Sequence, residues 1–477
     1  MMAGRRRSLG LVVVAVLVVL PLVLVPPPLV SARVPPQAGG AVIRFIGHAK
    51  APVQKIIRSL LKEWVKHEVK ELLSPNSEGQ LNNAASSSNT AGVFIFNLSV
   101  GTSSPPQDIS GILDITSELV WSQCTPCGDA CLPPPAPSFD PAMSPTFANL
   151  SCDSEMCPQV LRETCAADAA PTGDCDMYKF TYGDTTTSTV GYLANDTLMF
   201  GDGATPVPFV FGCSYDSVGD FSGASGVLGF NLGDLSLVSQ LNLTWFSYLL
   251  ASDASAAAGS ESDSVLQFGG GSVPLPPTSN GRSTPLLFSS LYPTLYFFNL
   301  TGIRVDGQDL SIPAGTFDLK DDGSGGVFPS TTVPVTYLEK AAYDAVSKAI
   351  AGSSVMPQSV DGSELGLHLC YNMTSLEDVT VPVLELVFDG AAVMTLQRYN
   401  YFFSDNTTGL DCLTILPYVG GSLLGSLLQT GTSMTYDIAD KQLIFETQAA
   451  AASPANAPAS LIIMMTMLNL AAWVLWF

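Results

Sequence analysis

An apolar run, Gly111-Ile112-Leu113, ends in Asp114, and Ile115-Thr116-Ser117 follow it before a second run at Leu119-Val120-Trp121. A carboxylate at the end of a strand can act as general acid or base, provided another group shares the proton transfer. Few other groups qualify. The chain has three histidines, His48, His67 and His368. The first two lie in a basic N-terminal stretch, and His368, two residues before Cys370, reads as a surface residue. A serine nucleophile would need one of them as its base. The ten cysteines, Cys124, Cys127, Cys131, Cys152, Cys157, Cys165, Cys175, Cys213, Cys370 and Cys412, are even in number. All can pair, which leaves no free thiol as a nucleophile. With so few histidines, neither a metal nor any other cofactor is expected.

The elements that must position Asp114 are read from punctuation. Charged residues make up only 13% of the 477, and there are 41 glycines and 34 prolines. Short apolar runs at 93–98, 208–213, 295–305 and 442–445 are separated by Gly, Pro, Asp and Ser. This pattern predicts an all-β chain. One helix is expected over 338–351, where Ala, Lys and apolar residues recur at helical spacing. A loop is expected over 251–263. Prolines 274, 276 and 277 with Gly281 mark a boundary near residue 280, and the length calls for two lobes.

Charge is divided unevenly. The formal net charge is −22, which excludes a phosphate-binding surface and therefore nucleic acid as a partner. Residues 33–90 nevertheless hold eight Lys/Arg against four Asp/Glu, whereas nine basic and 38 acidic residues follow position 90. Within 53–73, apolar residues spaced by three and four predict an amphipathic helix with a basic outer face. A basic segment ahead of an acidic body reads either as a pro-segment covering that body or as a solvated linker helix.

Both ends carry address signals. Arg5, Arg6 and Arg7 precede the apolar run 9–25, and Val30-Ser31-Ala32 offers a cleavage site, the pattern of a secretory signal peptide. Small residues at 449–453, a short spacer and the apolar tail 461–477 form the pattern of a GPI lipid-anchor signal. Seven N-x-S/T sequons, at Asn97, Asn149, Asn195, Asn242, Asn299, Asn372 and Asn406, agree with a glycoprotein of the secretory route. The expected location is the extracellular cell surface, on the outer leaflet of the plasma membrane or in the cell wall.

Five stretches in order identify a resemblance. They are Asp114-Ile115-Thr116-Ser117 with Val120-Trp121, a cysteine-rich insert between Cys124 and Cys175, and Tyr182-Gly183-Asp184. Gly226 to Leu241 and Leu423 to Phe445 complete the set. Residues 92–448 resemble the pepsin-like aspartic peptidases, in particular their plant nepenthesin-like branch. The resemblance implies a bilobal β fold with the cleft between two β-rich lobes, and a monomer. It divides the chain into a signal peptide (1–32), a pro-segment-like region with linker (33–90), an N-terminal lobe (91–281), a C-terminal lobe (282–448) and an anchor signal (449–477). It implies disulfides Cys124–Cys127, Cys131–Cys213, Cys152–Cys175, Cys157–Cys165 and Cys370–Cys412. It also implies that Tyr182 of the flap and Trp121 line the substrate cleft.

The family's chemistry needs two carboxylates sharing one water and one proton, one from each lobe. In each loop a Thr or Ser follows the aspartate and links the loops, and a glycine then permits close approach. Asp114 occupies the first position, but Ile115 and Thr116 replace its two supports. The second loop aligns without a gap as Gly325-Gly326-Val327-Phe328-Pro329-Ser330-Thr331-Thr332, which places Ser330 at the second dyad position and Thr332 at its glycine. A serine hydroxyl stays neutral and cannot share that proton. Asp321 and Asp322 lie too far upstream to substitute, and Asp114 is a poor base for a Ser330 nucleophile. The expectation is a catalytically inactive, membrane-anchored homologue that binds a peptide or protein in its cleft. The alternatives are an active aspartic endopeptidase with a non-standard dyad, an inhibitor of a cell-wall glycosidase and a structural surface glycoprotein.

Overall fold

The computed structural model describes residues 43–47, by backbone alone, and 94–447 except 129, 133–137, 152, 159–174, 176, 183–186, 201–204, 252–263 and 274–281. The signal peptide, the basic helix expected over 53–73, the loop 252–263, the flap tip with Asp184 and the anchor signal lie outside the described residues.

Strands dominate. In chain order, those that build the site and its supports are β1 (Ile43–Gly47), β2 (Ile95–Val100), β3 (Gln107–Asp114), β4 (Trp121–Gln123) and β5 (Tyr178–Thr181). They continue with β6 (Ser188–Met199), β7 (Val207–Val218), β8 (Gly226–Gly229), β9 (Trp245–Leu249) and β10 (Ser264–Gly269). The second half supplies β11 (Arg282–Leu287), β12 (Val327–Pro329), β13 (Thr336–Glu339) and β14 (Ile415–Tyr418). It ends with β15 (Ser422–Leu424), β16 (Thr432–Asp437) and β17 (Gln442–Thr447).

One arrangement occurs twice. In the first lobe β3 runs parallel to β8, with Asp114 opposite Gly229, while β4 runs antiparallel to β8 and parallel to β7. In the second lobe β12 runs parallel to β15, β13 runs antiparallel to β15, and β13 runs parallel to β14. Each copy leaves a loop between its first two strands, 115–120 and 330–335. The short parallel stretches are buried on both faces, which is why 226–229 and 422–424 read as unbroken small or apolar runs.

A glycine lets each loop pass. A Cβ on Gly229 would lie 2.5 Å from the carbonyl carbon and oxygen of Glu118, four residues beyond Asp114. A Cβ on Gly425 would lie 2.5 Å from the carbonyl oxygen of Pro334, four residues beyond Ser330, and 2.3 Å from that of Val335. Only glycine permits such backbone contact in both lobes.

The lobes share a sheet and a core. β9 pairs with β10 on one side and with β16 on the other, and β16 continues through β17 to β11. Phe246 of β9 stacks on Tyr436 of β16 with ring centroids 4.6 Å apart. The main apolar core runs from Phe94 to Phe445 across both lobes. A second core, with Ile112, Trp121, Tyr178, Phe180, Tyr182 and Phe221, lies under the flap strands β5 and β6. The expected helix forms over Lys340–Ala351, because Leu338 and Glu339 finish strand β13 instead of opening the helix.

Candidate active site

Asp114 ends β3 and is fully buried. Its Oδ1 accepts hydrogen bonds from the Thr116 backbone N–H at 2.8 Å and the Thr116 hydroxyl at 2.6 Å. Its Oδ2 has no hydrogen-bond partner among the described residues, nor does Ser117 Oγ. Burial pushes the carboxyl above its ordinary range. The Thr116 hydroxyl and the Thr116 and Ser117 backbone N–H groups pull the other way, and burial prevails. Thr116 therefore does more than crowd the position where a glycine was expected; its hydroxyl has become a ligand of the carboxylate.

Ser330 follows β12 and is likewise fully buried. Its backbone N–H donates to Leu424 O at 3.0 Å. Its Oγ accepts from the backbone N–H groups of Thr332 at 3.3 Å and Val333 at 3.1 Å, and it lies 3.2 Å from Thr332 Oγ1. Ser330 thus takes the backbone donors of its loop much as Asp114 takes those of Thr116. The loop presents a hydroxyl where the first presents an acid. Asp321 and Asp322 lie on an exposed turn, where Asp322 accepts from the Ser324 N–H and hydroxyl. His368 is exposed and packs its ring against Tyr343. Among the described residues no three His, Cys, Asp or Glu side chains cluster to hold a metal.

The two loops are joined from one side. Thr331 Oγ1 donates to Leu113 O at 2.6 Å and accepts from the Ile115 N–H at 3.3 Å. The counterpart of Thr331 in the first loop is Ile115, which has no hydroxyl with which to return the bonds. Thr331 directly follows Ser330, the position that the family pattern gives to the linking hydroxyl.

Gln429 was not foreseen. It is fully buried, and its Nε2 donates to the backbone oxygens of Ser330 (2.9 Å), Leu424 (3.0 Å) and Gly425 (3.2 Å). Its Oε1 accepts from the Tyr248 hydroxyl at 2.5 Å, and that hydroxyl lies 3.1 Å from Tyr436 Oη. The second loop is therefore tied to the sheet that joins the lobes. A lone glutamine in an apolar stretch gave no sequence cue to this.

Trp121 and Tyr182, which the resemblance assigns to the cleft lining, are both buried and touch each other. Trp121 Nε1 donates to Tyr182 Oη at 2.8 Å, and Phe221 packs edge-on against Trp121 with centroids 5.1 Å apart. Burial drives the Tyr182 phenol well above its ordinary value, and the Asp114 charge raises it further against the Trp121 bond.

The cysteine pairing corrects the expectation. The structure joins Cys124 to Cys213 and Cys127 to Cys131, in place of Cys124–Cys127 and Cys131–Cys213. β4 and β7 are parallel neighbours, and the Cys124 N–H reaches Ser214 O at 2.7 Å, which sets the first pair 5.4 Å apart at Cα. Cys157 pairs with Cys175, which excludes both Cys152–Cys175 and Cys157–Cys165. Cys152 and Cys165 lie outside the described residues. Cys370 and Cys412, directly opposite on antiparallel strands, pair as the resemblance implies. Of the seven sequon asparagines, Asn97, Asn149, Asn242, Asn372 and Asn406 are exposed, and Asn195 and Asn299 are half-buried.

Family models described as xylanase inhibitor N-terminal and C-terminal match residues 94–270 and 295–447. The aspartic proteinase nepenthesin-2 of Nepenthes gracilis is 37% identical over 358 residues, which is 74% of this chain and 77% of the relative. Nepenthesin-1 of the same plant is 32% identical over 76% of this chain and 79% of its own length. The solved structure of edgp superposes with a TM-score of 0.59 at 17% identity, covering 85% of this chain and 94% of that one. Basic 7S globulin from soybean superposes with a TM-score of 0.56 at 16% identity, covering 86% and 98%. These two structures bear on the fold.

Proposed function

The chain belongs to the pepsin-like aspartic peptidases of the plant nepenthesin-like branch, and from that membership we propose that it has lost peptidase activity and binds an extended peptide or protein segment between its lobes. One observation carries the reading. The second dyad position holds Ser330, whose hydroxyl accepts the loop's own N–H donors and leaves Asp114 without a carboxylate partner. The family's reaction needs one acid ionised and one protonated beside the same water. A raised Asp114 beside a neutral hydroxyl offers a protonated group and no base below its own titration. Losing an essential acid or base costs orders of magnitude in rate.

What survives suits binding. Trp121 and Tyr182 remain joined beneath the flap strands, and an extended ligand between the lobes would be held by strand-like backbone pairing. We place the protein in the secretory pathway, glycosylated and held at the cell surface by a lipid anchor, on the strength of its terminal signals and sequons. The match to models described as xylanase inhibitors favours a second reading, in which the ligand is a secreted glycosidase and binding inhibits it.

The test is peptide cleavage at acid pH by purified protein, with and without the transition-state mimic pepstatin. No pepstatin-sensitive cleavage is expected. Cleavage that pepstatin blocks and Asp114→Ala abolishes would establish an active enzyme instead. Capture of secreted glycosidases, with inhibition measured on the captured enzyme, tests the second reading.

A further inference from the structure

A strand that ends a sheet presents backbone groups on one side that invite another strand, and proteins guard such edges with charge, proline or cover. Among the described residues, several edges carry such a guard. Lys179 stands exposed on β5, which pairs only with β6. On the edge strand Gln308–Asp309, the exposed Asp309 holds Arg304 at 2.6 Å. Arg282 donates to Val393 O on the edge strand Val393–Thr395. β14 ends the sheet that joins the lobes and contains Pro417, which has no N–H to offer.

Four described edge strands have neither an exposed charge nor a proline. They are β2, Ala148–Asn149, Cys370–Asn372 and Phe402–Asp405, whose aspartate is buried. Each holds a sequon asparagine or is followed directly by one, namely Asn97, Asn149, Asn372 and Asn406, and all four are exposed. The remaining exposed sequon asparagine, Asn242, lies in a turn with φ of 49°.

β2 is the longest of the four. Its sequence, Ile-Phe-Asn-Leu-Ser-Val, is rich in strand formers and lacks charge, proline and glycine, the composition of segments that stack between copies of a chain. It pairs with β3 over all six residues, but with β6 only at Ser99 and Val100. Ile95 to Leu98 thus have no strand on their outer side among the described residues. Asn97 is the one fully exposed residue of β2. A glycan there is bulky and hydrated, and it occupies the approach that an incoming strand must take.

We propose that the glycan on Asn97 is the guard of β2, standing where other edges have lysine or proline, and that it keeps a second copy of this chain from adding its own β2 to that edge. This role rests on the reading that the chain is glycosylated in the secretory pathway. Only nine basic residues follow position 90, so lysine is scarce in the body, and sugars at Asn149, Asn372 and Asn406 fill the same role at their edges.

The test uses the full chain, expressed in a eukaryotic secretory host and purified with its glycans. Glycopeptide mapping first reads occupancy at Asn97. An empty Asn97 refutes the guard together with the glycosylation it rests on at that site. An occupied Asn97 whose loss changes nothing refutes the guard alone. Loss of monomer on warming is followed by gel filtration and thioflavin T fluorescence. Asn97→Gln is expected to lose monomer on the order of tenfold faster than the native chain. Asn97→Lys, which sets a charge in place of the sugar, should match the native rate. Asn242→Asp removes a sugar from a turn and suits its positive φ, and it too should match the native rate. Equal losses in Asn242→Asp and Asn97→Gln would mean that the sugars act by general solvation and would overturn the proposal, as would an Asn97→Lys no better than Asn97→Gln. In assembled Asn97→Gln protein, the amides of 95–98 should exchange hydrogen more slowly than in its monomer. Unchanged exchange there means that another segment joins the copies, which also refutes the proposal. Should Asn97→Gln fail to fold, Ser99→Ala removes the sequon, keeps Asn97 and is read in the same way.

Discussion

Replacing Thr331 by valine keeps the outline of the side chain and removes its hydroxyl. The structure states what that costs. Thr331 Oγ1 donates to Leu113 O at 2.6 Å and accepts from the Ile115 N–H at 3.3 Å, and all three residues are at most 2% exposed. The substitution strands one buried acceptor and one buried donor. Each such group costs about 1–3 kcal/mol when left without a partner, so about 2–6 kcal/mol is expected for the pair. With a urea m-value of about 3 kcal/mol/M, the unfolding midpoint should fall by about 1 M. Thr331→Ser keeps the hydroxyl and should lose less than about 1 kcal/mol, the transfer value of the missing methyl. Equilibrium urea unfolding followed by tryptophan fluorescence measures all three proteins. If valine and serine are equally harmful, the hydroxyl does not join the loops and the reasoning fails.

Three further outcomes follow from the same geometry. Asp114 titrates above its unfolded value of 3.8 because it is buried. The native state therefore holds a proton that the unfolded chain has released, and stability falls as pH rises from about 4 through the folded pKa. Asp114→Asn should flatten that slope and raise the urea midpoint at pH 7 while leaving it nearly unchanged at pH 3; an unaltered pH profile would refute the assignment. A Cβ on Gly226 would lie 1.8 Å from Trp121 O. Gly226→Ala should therefore cost about 3 kcal/mol or more, or prevent folding, whereas Gly302→Ala, with nothing within 4 Å of its Cβ, should fold with its urea midpoint nearly unchanged. Non-reducing peptide mapping should recover Cys124 linked to Cys213 and Cys127 linked to Cys131. Removing the first pair, 89 residues apart, should destabilise more than removing the second, 4 apart.

What the sequence disclosed was whatever depends on local backbone rules. Gly229 and Gly425 mark places where only a hydrogen fits between backbones, and both were visible as the glycine after an apolar pair. The alignment of the second loop without a gap put Ser330 where the structure places it. Partners set by distant strands were not legible. Cys124 and Cys213 are brought together by the parallel pairing of β4 with β7, which residue spacing along the chain does not encode. Gln429 and Tyr248 are 181 residues apart, and neither shows periodicity that would single it out. The strand Ile43–Gly47 is too short to stand out against a basic, helix-patterned stretch.

Ser330 aligns in its loop without an insertion or a deletion, and Thr332 stands where the family pattern has a glycine. Ile115→Thr, Thr116→Gly, Ser330→Asp and Thr332→Gly together write the family's pattern onto loops that Gly229, Gly425, Thr331 and Gln429 hold in place. The frame that these groups hold makes the molecule a host for a designed active site.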